Sequence, residues 1–123
     1  MCGILGNFGF IEHGDFNNHL REVDEPLARR GPDQINHIDL QNFLATHSRL
    51  IIHGSKDDGL QPICFKNLAI LFNGNLYNKN ALKLDLELQG YSFKGISDTE
   101  VVAIAIHHWG KKAFEKFNGF FSI

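Results

Sequence analysis

The chain has 123 residues, of which 43% are hydrophobic and 21% are charged, and its formal net charge at pH 7 is −2. This composition is typical of one globular domain, and the small net charge gives no reason to expect nucleic acid or an anionic membrane as a partner. No apolar run approaches the roughly 18 residues of a membrane-spanning helix, and residues 1–10 lack the basic start of a signal peptide.

The first half of the chain predicts a strand, a helix and a hairpin. Residues 2–11 contain three glycines and favour a buried strand against which neighbouring backbone or a ligand can lie closely. Apolar residues at helical spacing predict an amphipathic helix over residues 16–29, which the Gly-Pro pair at residues 31–32 would end. Two strands near residues 35–40 and 43–50 are close enough in sequence to form a hairpin.

The middle of the chain predicts a loop, a second hairpin and a turn. Gly and Pro punctuate a loop over residues 54–62, and strands are expected at residues 63–66 and 68–72. Asn73-Gly74 is a strong local signal for a turn or a bulge, because both residue types tolerate positive φ.

Two helices and a short strand are predicted after the turn. The first helix covers residues 79–89. The second starts at Ser97 or Asp98 and runs to residue 109, and Glu100 would complete a capping box with Ser97. A strand then opens at residues 120–123 with no partner behind it, which would leave an exposed edge. We therefore expect a domain cut short at its C-terminus, with self-association as one consequence.

Cys2 is the first candidate for chemistry, since removal of Met1 would place a thiol and a free α-amine on one residue. A terminal amine titrates near about pH 7.7–8.0 and can act as a general base, and a thiol is a strong nucleophile. The amine cannot point at its own sulfur, so a bridging water is expected. The alternative is an ordinary cysteine at the start of a strand.

Three further positions could bind a polar ligand, and each has a simpler structural interpretation. Arg49 lies in an apolar strand, where it is either an exposed residue or an inward cation that needs a carboxylate. Asn73 could supply a side-chain amide and Gly74 a backbone N–H, which together are the donor pair of an oxyanion hole. The simpler interpretation of these two residues is a turn. Asp98 could hold a ligand amine or simply cap a helix.

Metal chemistry and disulfides are not expected. The seven histidines show no paired ligand spacing, and Cys2 and Cys64, the only cysteines, form neither a disulfide framework nor a zinc pattern. A reducing, cytoplasmic location fits this cysteine content.

The order of the short motifs is more specific than any one of them, and it resembles the glutaminase domain of the class II glutamine amidotransferases. The likeness covers the whole chain, residues 1–123, and is greatest to the N-terminal domain of glutamine-dependent asparagine synthetases. The motifs that carry it are Met1-Cys2-Gly3-Ile4, Arg30-Gly31-Pro32-Asp33, Ser48-Arg49-Leu50, Gln61-Pro62, Phe72-Asn73-Gly74-Asn75-Leu76-Tyr77-Asn78, Ser97-Asp98-Thr99-Glu100-Val101 and Asn118-Gly119-Phe120-Phe121-Ser122.

The resemblance implies an α+β fold, the N-terminal-nucleophile hydrolase αββα sandwich of two antiparallel sheets, here incomplete at the C-terminus. It implies that Cys2 attacks the side-chain amide of glutamine, with its own amine as base and with Asn73 and the Gly74 N–H as the oxyanion hole. Arg49 would bind the substrate α-carboxylate, and Asp98 its α-ammonium group. A thioester would form, ammonia would leave, and water would release glutamate without a cofactor.

The chain departs from this pattern at one site residue and in length. Asn75 stands among the substrate-binding residues where asparagine synthetases usually have glutamate, although the amidophosphoribosyltransferase branch resembles this chain there. The family domain continues further and is followed by a synthetase domain, so the ammonia would pass to a domain or subunit that these residues do not include. The alternative is a binding or interaction module that keeps the fold without catalysis.

Overall fold

The computed structural model describes residues 2–8, 16–40, 43–51 and 59–123. It divides into two compact units, Met1–Gly54 and Ser55–Ile123. Each unit combines helix with antiparallel strands, which confirms the predicted α+β class. Among the described residues, none of the helices has the length and apolar character needed to cross a bilayer.

Among its described residues, the first unit contains a three-stranded antiparallel sheet and one helix. The helix and the hairpin agree with the predictions, whereas residues 9–11 of the predicted first strand lie outside the described residues. The elements are β1 (Gly3–Phe8), α1 (Phe16–Ala28), β2 (Gln34–Leu40) and β3 (Phe43–Arg49). The strand order is β1-β3-β2, so β3 is central.

The central strand β3 is buried along most of its length although more than half of its residues are polar. Buried polar groups are stable only when they are hydrogen-bonded, and two of them have partners on the flanking strands. The Ser48 hydroxyl accepts from the Gly3 N–H at 3.0 Å, and the Thr46 hydroxyl lies 2.9 Å from His37 Nδ1. These two contacts stabilise the register of β1 and of β2 against β3.

The described part of the second unit contains two two-stranded antiparallel sheets around a buried helix, one pairing Ile63–Phe65 with Leu68–Ile70 and the other Asn73–Leu76 with Gly119–Ser122. A 3₁₀ turn, Gly110–Lys112, separates its last two helices. The elements are β4 (Ile63–Phe65), β5 (Leu68–Ile70), β6 (Asn73–Leu76), α2 (Lys79–Leu88), α3 (Asp98–Trp109), α4 (Ala113–Lys116) and β7 (Gly119–Ser122).

Helix α3 is the core of the second unit. Residues 101–105 are at most 2% exposed, and they pack with buried side chains of α2 such as Leu82 and Leu86. A helix that is apolar on all sides must be covered on all sides. Ser97 is its N-cap and accepts from the Glu100 N–H at 3.3 Å, which is one half of the predicted capping box. The Glu100 carboxylate instead accepts from two loop N–H groups.

The predicted turn or bulge at Asn73-Gly74 is wrong, because both residues lie in strand β6. Asn73 pairs with Ser122 and Gly74 with Phe121, so β6 is the partner of the predicted C-terminal strand. A Cβ on Gly74 would collide with the Phe120 carbonyl oxygen and lie 2.6 Å from the Phe121 Cα. Gly74 is therefore needed for the close approach of two strands and not for a positive φ.

Candidate active site

Cys2 is half-buried at the end of the first unit's sheet, where β3 also ends. Gly3 pairs with Ser48 in antiparallel register, so Cys2 and Arg49 lie at the same end of two adjacent strands. The Cys2 Sγ is 3.9 Å from the Leu50 carbonyl oxygen, a contact in which a thiol is a weak donor. Cys2 and Cys64 are both thiols, and Cys64 is exposed on β4.

Arg49 is buried, with only 8% of its surface exposed. This excludes the interpretation of Arg49 as a residue on an exposed face of the strand. A guanidinium stays ionised in proteins and presents five N–H donors, so a buried one needs acceptor oxygens or an anion around it. The residue type and its position beside Cys2 suit recognition of a carboxylate.

The segment that follows α1 holds the end of β3 in place. A Cβ on Gly31 would lie 2.6 Å from the backbone nitrogen and the carbonyl carbon of Arg49, so only glycine fits there. The Asp33 N–H donates to the Arg49 carbonyl at 3.1 Å, and the Asp33 carboxylate accepts from the Ile51 N–H at 2.7 Å. The helix ends before this segment, as the sequence predicts, and the structure adds hydrogen bonds that join Asp33 to the end of β3 and to Ile51.

In the other unit, a pair of side-chain hydrogen bonds holds the residue just before Asn73. The side chain of Gln61, 7% exposed, donates to the Phe72 carbonyl at 2.9 Å and accepts from the Phe72 N–H. Both backbone groups of the residue before Asn73 are thereby fixed. Sequence reasoning gave Gln61 no role, although Gln61-Pro62 was one of the motifs in the order that resembles the family.

Asp98 is joined to the strand that carries Asn73, Gly74 and Asn75. One of its carboxylate oxygens accepts from the Leu76 N–H at 2.8 Å, and the other lies 3.0 Å from the Lys79 ammonium nitrogen. Asp98 is the first residue of α3, where a negative charge is stabilised by the helix dipole. Asn75, by contrast, is exposed.

The predicted site residues therefore fall into two groups, one in each unit. The first group is Cys2 and Arg49, at one end of the β1–β3 pair. The second group lies on β6 and at the start of α3 and consists of Asn73, Gly74, Asn75 and Asp98. Across residues 2–8, 16–40, 43–51 and 59–123, no group of three His, Cys, Asp or Glu side chains could hold a metal ion.

The family model described as a glutamine amidotransferase domain matches residues 1–123, and the chain belongs to this family. This confirms the resemblance inferred from the motif order. One relative is asparagine synthetase [glutamine-hydrolyzing] 1 of Bacillus subtilis, which is 30% identical over 99% of this chain and 20% of its own length. Another is the asparagine synthetase [glutamine-hydrolyzing] of Zea mays, which is 32% identical over 99% of this chain and 21% of its own length. The chain spans about a fifth of the length of these relatives.

Proposed function

We propose that the chain is the glutaminase domain of an amidotransferase and hydrolyses the side-chain amide of glutamine through a thioester on Cys2. The observation that carries the proposal is the position of Cys2 beside the buried Arg49, in a chain that belongs to the glutamine amidotransferase family. Its relatives are named as glutamine-hydrolysing asparagine synthetases, which supports the choice of substrate.

The reaction begins when the Cys2 sulfur attacks the amide carbon of glutamine. The free α-amine of Cys2 takes the thiol proton, through a bridging water, and later delivers it to the leaving nitrogen. The Asn73 side-chain amide and the Gly74 N–H stabilise the negative charge on the former carbonyl oxygen. The C–N bond then breaks, ammonia leaves, and a thioester remains. Water attacks the thioester, and the C–S bond breaks to give glutamate and the thiol.

Two oppositely charged residues suit the two charges on the α-carbon of glutamine. Arg49 binds the α-carboxylate, for which its planar fork of donors is suited. Asp98 binds the α-ammonium group, and Asn75 adds a neutral polar group from β6. Arg49 is buried and the Asp98 side chain is 17% exposed, and glutamine would bring a group of opposite charge to each.

The finer architecture is part of the same proposal. We assign residues 1–123 to a glutaminase domain of the N-terminal-nucleophile type, an αββα sandwich, and the antiparallel sheets and helices of the two units are consistent with it. Ammonia then passes to a synthetase domain or a separate subunit. The relatives, which are asparagine synthetases about five times longer than this chain, support an acceptor that lies beyond these residues.

The experiment compares Cys2→Ala with Cys64→Ala by measuring glutamate and ammonia released from glutamine. Both variants lose one thiol, but Cys64 is exposed on β4 and is no part of the proposed site. Release should be abolished in Cys2→Ala and unchanged in Cys64→Ala. Hydroxylamine added during turnover should trap the thioester as the γ-hydroxamate of glutamate.

Glutamate release that persists in Cys2→Ala would overturn the assignment of the nucleophile. A wild-type chain with a processed N-terminus that binds glutamine in calorimetry without releasing ammonia would instead establish a binding module.

A further inference from the structure

The carboxylate proposed to bind the substrate ammonium already has an ammonium partner within the chain. The Lys79 Nζ lies 3.0 Å from Asp98 Oδ1, and the two side chains are only 31% and 17% exposed. Lys79 also donates to the Ile96 carbonyl oxygen at 2.9 Å, which holds the ammonium in place. Because the pair is half-buried, salt screens it less than a surface pair.

Among the residues that the structure describes, Lys79 pairs with no second carboxylate besides Asp98. Asn75 supplies a neutral side chain on β6. Glu100, the other acidic residue in the first turn of α3, uses its two oxygens to accept from the N–H groups of Lys94 and Gly95, at 2.8 and 2.9 Å. One carboxylate and one ammonium therefore balance each other at Asp98.

Helix electrostatics favour the pairing of Lys79 with Asp98. Lys79 is the first residue of α2, whose first turn contains no acidic residue. A cation at a helix N-terminus is repelled by the positive end of the helix dipole, whereas an anion such as Asp98 at the start of α3 is attracted. Pairing with Asp98 offsets the repulsion between Lys79 and the positive end of the α2 dipole. It also leaves the Asp98 carboxylate at the N-terminus of α3, where the helix dipole favours a negative charge.

We propose that Lys79 is a specificity-determining residue, which neutralises Asp98 and thereby weakens selection for an α-ammonium group on the amide substrate. The inference rests on the proposed binding of glutamine at Asp98. An incoming ammonium must share the carboxylate with Lys79 or displace it, so it contributes less affinity than at an uncompensated carboxylate. A primary amide that lacks the α-amine should accordingly be discriminated against only weakly.

The experiment measures the dissociation constants of L-glutamine and glutaramate, which has hydrogen in place of the α-ammonium group. Calorimetry on the full chain carrying Cys2→Ala separates binding from turnover. Lys79→Met and Lys79→Gln should each raise the preference for L-glutamine over glutaramate by roughly five- to tenfold, the size of one partly buried charge pair. Lys79→Arg, which keeps the charge, should retain the original preference.

Lys83→Met is the matched control. Lys83 lies one turn further along α2, has the same side-chain exposure of 31%, and faces Glu87 and Phe93 instead of Asp98. Its loss removes the same charge from the same helix and should leave the ratio of the two dissociation constants unchanged.

The outcomes separate this inference from the proposed function. If L-glutamine binds but its preference over glutaramate is the same in Lys79→Met, Lys79→Gln and the parent chain, the role of Lys79 is overturned and the proposed function is retained. If Lys83→Met raised the preference for L-glutamine over glutaramate as much as Lys79→Met does, the role of Lys79 would also be overturned, because the effect would then come from the net charge of the chain. If neither ligand binds any of these chains, the proposed function fails together with the inference.

Discussion

Gly31 lies against the backbone of Arg49 so closely that a Cβ on Gly31 would be 2.6 Å from both the nitrogen and the carbonyl carbon of Arg49. Real Cβ atoms do not approach backbone atoms to this distance, so either the segment after α1 or the end of β3 would have to move. Arg49 can therefore hold its position only because Gly31 has no side chain. Arg49 ends strand β3, and β3 pairs with β1, the strand that follows Cys2.

Gly31→Ala should reduce both stability and glutamine binding. Overpacking against backbone typically costs about 1–3 kcal/mol, and here the displaced atoms carry Arg49. Denaturant unfolding measures the first effect, and the dissociation constant for glutamine in the Cys2→Ala background measures the second. Gly95→Ala is the matched control, since its Cβ would meet only the Glu100 side chain at 3.6 Å and should change stability by less than about 0.5 kcal/mol. Equal unfolding midpoints for Gly31→Ala and the parent chain would contradict the prediction.

Local patterns sufficed to predict the elements whose signals lie within a few residues. The apolar spacing and the Gly-Pro stop predicted α1, and the capping signal at Ser97 and Glu100 predicted α3. The strand at Asn73-Gly74 could not be predicted in this way. Its local signal is that of a turn, and the competing contribution comes from pairing with Phe121 and Ser122, far along the chain. Tertiary pairing here overrides local preference.

The candidate site shows the same division. Cys2, Arg49, Asn73 and Asp98 were proposed as site residues from residue type and motif order. The residues that fix them were not, because each acts through a contact distant in sequence. Asp33 binds the N–H of a residue 18 positions away, and Gln61 binds a residue 11 positions away. A single sequence gives no signal for such pairs.

Gln61→Leu should lower kcat more than it raises KM for glutamine. The change removes the partner of both the N–H and the carbonyl of Phe72, immediately before Asn73, and an unsatisfied buried polar group costs about 1–3 kcal/mol. A shifted Asn73 would stabilise the oxyanion less while leaving the two charges that bind the substrate in place. Steady-state kinetics and thermal unfolding measure the two effects.

Two further variants make the test of Gln61 specific. Gln61→Glu keeps an acceptor for the Phe72 N–H but loses the donor to the Phe72 carbonyl, so it should fall between Gln61→Leu and the parent chain in kcat. Gln89→Leu makes the same chemical change at an exposed position after α2 and should be neutral. A loss confined to KM in Gln61→Leu would argue against a role in positioning Asn73.

Removal of Met1 should be required for glutaminase activity. While Met1 is attached, the nitrogen of Cys2 is part of a peptide bond and is not basic near neutral pH, so the chain has the thiol but lacks the proposed base. After removal, a terminal amine with a pKa of about 7.7–8.0 becomes available. Only the neutral amine can accept the thiol proton, so the rate for the processed chain should rise with pH through this range and then level off.

The measurement compares ammonia release from two preparations whose N-termini are established by mass spectrometry. The form that begins at Cys2 should be active, and the form that retains Met1 should be inert although Arg49, Asn73, Gly74 and Asp98 are all present. Calorimetric binding of glutamine by Cys2→Ala chains with and without Met1 serves as the control, because it shows whether the difference lies in the chemical step or in access to the site. Equal rates from the two forms would remove the terminal amine from the mechanism and would require another residue as the base for Cys2.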